Sequence, residues 1–223
     1  MPLLTLPPLP SMLMGFVSYA SLVSKDVLNQ TITSAKQNSL AKTDFGRRQE
    51  QVIMDQLSDE RFANIQAFCI PCQLDLSAGK SQVDFFSAPP AGKNRVSLLT
   101  CLEHPLSRGT VHITSSDAMQ APRIDPGYFR NETDAKILAA GIEWMDKVAN
   151  HPALKKSLGA RVQPAPEASI GTEEERIDYV KNHVSTQYHL IGTCTMGEVV
   201  DDQLRVKGVG RLRVIDASVF PGQ

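Results

Sequence analysis

Residues Asp134–Asn150 place the strongest single constraint on how this chain can fold. Ile137, Gly141, Trp144, Met145 and Val148 recur at three- and four-residue steps, which lines them along one stripe of an amphipathic helix. Asn131 stands where a cap belongs, and Glu132 and Asp134 suit the positive end of the helix dipole. A helix with one apolar stripe needs a surface to cover it. Thr172-Glu-Glu-Glu175 is a capping box and opens a second helix carrying Ile177, Val180 and Val184. The stretch Arg48–Leu57 predicts a third, with Val52, Ile53, Gln56 and Leu57 on one face. Pro152 stops the first helix or starts another, and Pro164 and Pro166 mark a linker.

The β-type runs are short. Phe62–Leu76 is apolar with Pro71 inside, which predicts an edge strand. Ala78–Lys93 reads as loop. Arg95–Leu102 and Thr110–Thr114 are two further runs, the second alternating with Val111 and Ile113 on one face. The link His104–Gly109 is short, so these two are expected to pair antiparallel. Ser115–Gly127 reads as loop. Near the end, Gly208-Val-Gly210 predicts a turn and Leu212–Ile215 a strand.

The chain has 23 basic and 24 acidic residues, so a net charge of −1 offers no electrostatic footing for nucleic acid or an anionic membrane. Aromatic residues make up only 6%, too few for a base-stacking platform. The first 24 residues carry no charged side chain, but Pro2, Pro7, Pro8 and Pro10 interrupt them. The apolar run Ser11–Val23 is too short to span a bilayer and lacks the basic lead-in of a signal peptide. It reads as a buried segment from the middle of a larger domain, with the cytoplasm as the default location.

Four cysteines in a chain of 223 residues do not make a disulfide framework, so free thiols are expected. Cys69-Ile-Pro-Cys72 and Cys101-Leu-Glu-His104 have the spacing of zinc ligands. Their apolar setting favours buried thiols instead, and no metal site is expected. His112, His151 and His183 read as strand- or helix-surface residues. The carboxylates Asp117, Asp125 and Asp134 are scattered, without the fixed separation that paired-carboxylate chemistry needs. No G-x-S-x-G elbow or Walker loop is present, and Gly208-Val-Gly210 fails as a dinucleotide fingerprint because it precedes a strand. His189 is different. It stands at the mouth of Gly192-Thr-Cys-Thr-Met196, a turn rich in backbone and hydroxyl donors. On the residues alone, two readings stand: an oriented acid or base, or a histidine bonding its own loop.

Four blocks then occur in order: His104-Pro-Leu-Ser-Arg-Gly-Thr-Val-His-Ile113, Ile124-Asp-Pro-Gly-Tyr128, Tyr188-His-Leu-Ile-Gly-Thr-Cys-Thr-Met-Gly197, and Val200–Val206 with Leu212-Arg-Val-Ile-Asp-Ala-Ser-Val-Phe-Pro221. Over about residues 95–221 the chain resembles the C-terminal part of the glucose–methanol–choline (GMC) flavin oxidoreductases, most closely the fungal members. The resemblance implies an α+β fold: an antiparallel sheet flanked by helices, the substrate-binding part (residues 1–187), then the returning segment of an FAD-binding domain (residues 188–223). It implies FAD as cofactor and a small-molecule alcohol as substrate. It makes His189 the base that takes the hydroxyl proton as hydride passes to flavin N5. It places Gly192, Thr193, Asp216, Ala217 and Ser218 beside the flavin.

Two departures accompany it. The family's G-x-G-x-x-G segment is absent, and the chain stops at Gln223, short of the family's second active-site His or Asn. The isolated chain is therefore expected to hold FAD weakly and not to turn over, unless a complementing N-terminal FAD-binding segment joins it. A non-catalytic interaction protein that keeps the fold without FAD is the alternative.

Overall fold

The computed structural model describes residues 12–78 and 82–222. Strand β1 (Leu13–Val17) leads into a one-turn helix α1 (Tyr19–Leu22), then α2 (Lys25–Gln37) and α3 (Asp44–Ser58). Strand β2 (Ile65–Ile70) follows, then β3 (Gln73–Leu74), α4 (Gln82–Phe85), β4 (Phe86–Ser87) and β5 (Ser97–Leu102). After β6 (Thr110–His112) and β7 (Arg123–Asp125) come α5 (Thr133–Asn150), α6 (Pro152–Lys155) and α7 (Glu173–Asn182). Residues from 183 onward run mainly in turns, ending in a 3₁₀ turn at Ala217–Val219. The prolines at 2, 7, 8 and 10 lie outside the described residues. The architecture is α+β, as the family resemblance implies.

The main sheet is antiparallel with order β1-β2-β5. Its register sets Val17 and Leu102 opposite Ile65, and Phe16 and Cys101 opposite Gln66. Side chains alternate across a sheet, so these two rows face opposite ways. The first row is the core: Ile65 packs with Tyr19, Leu57 and Ile137, all nearly inaccessible, and with Val17 and Leu102. Each such side chain contributes about 1.5–3 kcal/mol by leaving water. Helix α5 covers this face closely because it has a glycine there. A Cβ on Gly141 would sit 3.2 Å from the Thr100 side chain. The second row, Phe16, Gln66 and Cys101 with Met14, Phe68 and Leu99, forms the other face, where Phe16 and Met14 are exposed.

Helix α5 forms where the apolar stripe predicts it. The Asn131 side chain accepts the Thr133 amide (3.1 Å) and, fully buried, also donates to the Asn38 carbonyl (3.2 Å), tying the end of α2 to the start of α5. The capping box at Thr172 and Glu175 is present in full. Pro152 opens α6 from its first turn.

Several expectations are corrected. Strand β2 is central, not an edge, because it ends at Ile70 and the missing N–H of Pro71 costs no ladder bond. Strands β5 and β6 do not pair with each other. β5 pairs with β2, and β6 pairs with β7, inside a stretch expected to be loop. The cause is the link between them: the amides of Leu106 and Ser107 both donate to the Asp134 carboxylate (2.8 Å each), which holds the chain against α5. Helix α3 begins earlier than expected, at Asp44 behind the Thr43 cap, and buries Glu50, Met54 and Leu57 while Val52 is exposed. Glu50 is tolerated inside because it accepts the Leu40 amide (2.9 Å) and the Ser39 hydroxyl. Val184 lies beyond the end of α7. Leu212–Ile215 forms no strand. A single bridge joins Arg205 to Arg213, with no longer partner beside it. His183 is half-buried, its ring stacked on Tyr179 with centroids 3.9 Å apart.

Candidate functional site

Past α7 the chain crosses the open face of the main sheet. Gln187 donates from Nε2 to Oε1 of Gln66 (2.7 Å), and Gln66 Nε2 in turn lies 2.9 Å from the Met14 sulfur. Tyr188 takes a positive φ of 65°, with its amide on the Thr186 hydroxyl (2.9 Å). This sharp bend delivers His189 at the end of the sheet, where its charge is felt by Glu103. Glu103 continues β5 by one step, its amide donating to the Asn64 carbonyl (2.9 Å). Burial pushes the Glu103 carboxyl above its ordinary range, and His189 pulls it back.

A tight turn follows. Gly192 sits at φ 87°, a conformation glycine adopts without strain. The Thr195 hydroxyl donates to the Gly192 carbonyl, and the buried Thr195 offers its own carbonyl to the amides of Glu198 and Val199. The turn is joined by main-chain bonds to a second one: the Cys194 amide to the Ser218 carbonyl (3.0 Å) and the Met196 amide to the Val219 carbonyl (2.9 Å). In that second turn the Asp216 carboxylate accepts the Ser218 amide (2.8 Å), and Ser218 holds the Asp216 carboxyl below its usual range.

The structure thus sets Gly192 and Thr193 beside Asp216, Ala217 and Ser218 on one shelf, with His189 just ahead of it. Thr193, Asp216 and Ala217 are exposed, and none of the five carries a bulky side chain. A shelf of small residues and accessible main chain allows a flat ring system to approach the backbone closely. Apolar side chains stand exposed near it, among them Leu190 (75%), Ile215 (77%) and Phe220 (54%). Two surface hollows lie along α5, one lined by Val148, His151 and Leu154 and the other by Glu143, Ile170 and Arg176; neither includes His189.

The cysteines do not assemble into a ligand set. Cys69 and Cys101 fall on opposite faces of the sheet by register. Burial, with the Glu103 carboxylate adding to it, pushes the Cys101 thiol to about 11, and burial also raises Cys69 and Cys72. Among the described residues no group of three or more His, Cys, Asp or Glu is placed to hold a metal. Among the described residues, too, no helix is long and apolar enough to cross a membrane.

Gln66, Glu103 and Gln187 were not singled out from the sequence. Period-two alternation sets Glu103 on the same face as Cys101, but the segment it meets is far away along the chain.

Comparison with known proteins adds the following. Residues 105–223 match a model of the GMC oxidoreductase family. The chain is 36% identical over 220 residues to the dehydrogenase mpl7 of Monascus purpureus, covering 95% of this chain and 35% of that protein. It is 40% identical over 140 residues to choline oxidase of Arthrobacter globiformis, covering 59% of this chain and 25% of that one. Among solved structures, an FAD-dependent oxidoreductase from Chaetomium thermophilum superposes with a TM-score of 0.71 at 23% identity, covering 94% of this chain and 34% of that one. The chain therefore spans about a third of the length of the Monascus protein.

Proposed function

The chain belongs to the GMC oxidoreductase family, and from that premise we propose that it carries the proton-accepting side of an FAD-dependent alcohol oxidation, with His189 as the base. One observation carries the reading: the turn at Gly192–Met196 is stitched by main-chain bonds to the turn at Asp216–Val219, immediately beyond His189. Two separate sequence blocks thereby share one surface.

An alcohol gives up its hydroxyl proton near neutral pH only to a base whose working range lies there, and imidazole is the side chain that supplies one. His189 takes that proton on a ring nitrogen as the C–H bond breaks. FAD, when bound, supplies the hydride acceptor. The protein's part is placement. Gly192, Thr193, Ala217 and Ser218 offer the close backbone approach, and Asp216 keeps the second turn in shape through the Ser218 amide. Gln66 fixes Gln187, two residues before the base. In this reading residues 1–187 form part of the substrate-binding domain and 188–223 a returning piece of the FAD-binding domain. The exposed Leu190, Ile215 and Phe220 are then covered by an N-terminal FAD-binding segment, which also dries the site. The substrate class is a small-molecule alcohol.

The test is rapid-reaction flavin reduction in a chain carrying the rest of the family fold. His189→Ala should slow reduction by about 10²–10⁴-fold with FAD still bound. Reduction at the parent rate removes His189 from the role. A purified protein that is colourless and inert to alcohols would favour the alternative, an interaction protein that keeps only the fold.

A further inference from the structure

We propose that Glu103 is a positioning residue for His189: its carboxylate, fixed at the end of β5, steadies the imidazolium that forms when His189 takes up a proton. This rests on the reading of His189 as base, and it concerns only residues of this chain.

The sheet provides the geometry. The Glu103 amide is tied to the Asn64 carbonyl (2.9 Å), so β5 keeps its alternation one residue past Leu102. Glu103 therefore shares the open face with Cys101, whose neighbour across the ladder is Gln66. Gln66 is the residue that holds Gln187 (2.7 Å). The strand pair that carries Glu103 and the segment that carries His189 are thus clamped at the same patch, and their separation does not depend on a loose loop.

The second observation is chemical. Oε1 of Glu103 is buried and has no hydrogen-bond partner among the described residues. A buried carboxylate oxygen without a partner is costly, and a positive charge beside it offsets that cost. His189 is the cationic group whose field acts on it. The other titratable group acting with Glu103 is Cys101, whose thiol stays neutral at physiological pH. His104 is next in sequence, and its ring meets Phe62 edge-on (5.2 Å). No electrons pass through Glu103. The proton travels from the alcohol oxygen to a His189 nitrogen, and the carboxylate remains ionised throughout.

The experiment is a ¹³C titration of the Glu103 carboxyl in the chain as it stands and in the His189→Gln variant. Removing the imidazole should make Glu103 titrate at higher pH than in the parent, because a neighbouring cation favours the carboxylate. An identical curve overturns the proposal. If His189→Gln does not fold, His189→Asn gives the same reading, and there too an identical curve overturns the proposal. The two readings fail separately. A coupled pair with flavin reduction unaffected by His189→Ala keeps the pairing and removes the base. An uncoupled pair with reduction abolished keeps the base and removes Glu103.

Discussion

Around α5, order comes from buried side chains; between Gly192 and Phe220 it comes from the backbone. Ile137, Ala139 and Gly141 are buried in α5, where Ile137 packs with the fully buried Ile65 of the sheet. In the C-terminal turns Thr195, Val200 and Val219 are the buried residues, and the remaining ties are amide-to-carbonyl bonds and short side-chain caps. The first region resists disturbance because each lost side chain removes apolar burial and leaves a void. The second holds a geometry while leaving its side chains accessible, which suits the cofactor-facing role proposed for it. Stability and the proposed chemistry are thus sited in different parts of the molecule, linked by Gln66–Gln187 and by the field between Glu103 and His189.

The contrast can be broken at several points. The largest stability loss is expected from Asp134→Ala, which strips the partners from the Leu106 and Ser107 amides. Urea unfolding should show a cost of about 2–4 kcal/mol, with Asp134→Asn falling between that and the parent. A cost near zero would mean the β5–β6 link is held by something other than this carboxylate. Gly141→Val should cost about 1–3 kcal/mol by pushing α5 off Thr100, and adding Thr100→Ala should return part of it. Strict additivity of the two would deny the close approach.

Thr195→Ala should cost only about 1 kcal/mol. Its effect should be local: amide exchange faster in the two turns and unaltered in α5. Faster exchange throughout α5 would show that the two regions unfold as one. The smallest effect is one of sign. Asp134 is pushed up by burial, which outweighs the bonds from Ser107 and Leu106, so its contribution is complete below about pH 3.9 and declines as pH rises through its folded value. Asp216 is held low by Ser218, so its contribution is present above about pH 3.9 and is lost as pH falls through its folded value. Carboxyl titration from neutral to acid should therefore protonate Asp134 before Asp216. The reverse order would contradict the difference in burial.

What could be read from the sequence was local. The stripe of α5 and the capping box of α7 are written within one or two turns of chain, and both form as predicted. The shelf residues were recognisable as ordered blocks, though not their main-chain junction. Strand partners were not legible. The short link from β5 to β6 suggests a hairpin, but Asp134, far along the chain, redirects it. Pro71 suggests an edge because its effect depends on where the ladder stops. The open-face cluster of Gln66, Glu103 and Gln187 escaped for the same reason: each residue is ordinary alone, and only the sheet register gathers them.

The seam between Cys194 and Ser218, and between Met196 and Val219, runs from peptide to peptide. A fastening of that kind is indifferent to which side chains flank it. Tyr188, Leu190 and Ile215, all exposed around it, can be exchanged for larger, smaller or more polar residues without loosening the join. Under the function proposed above, one such backbone support can serve many differently shaped reaction chambers, and a change of substrate need not mean rebuilding it.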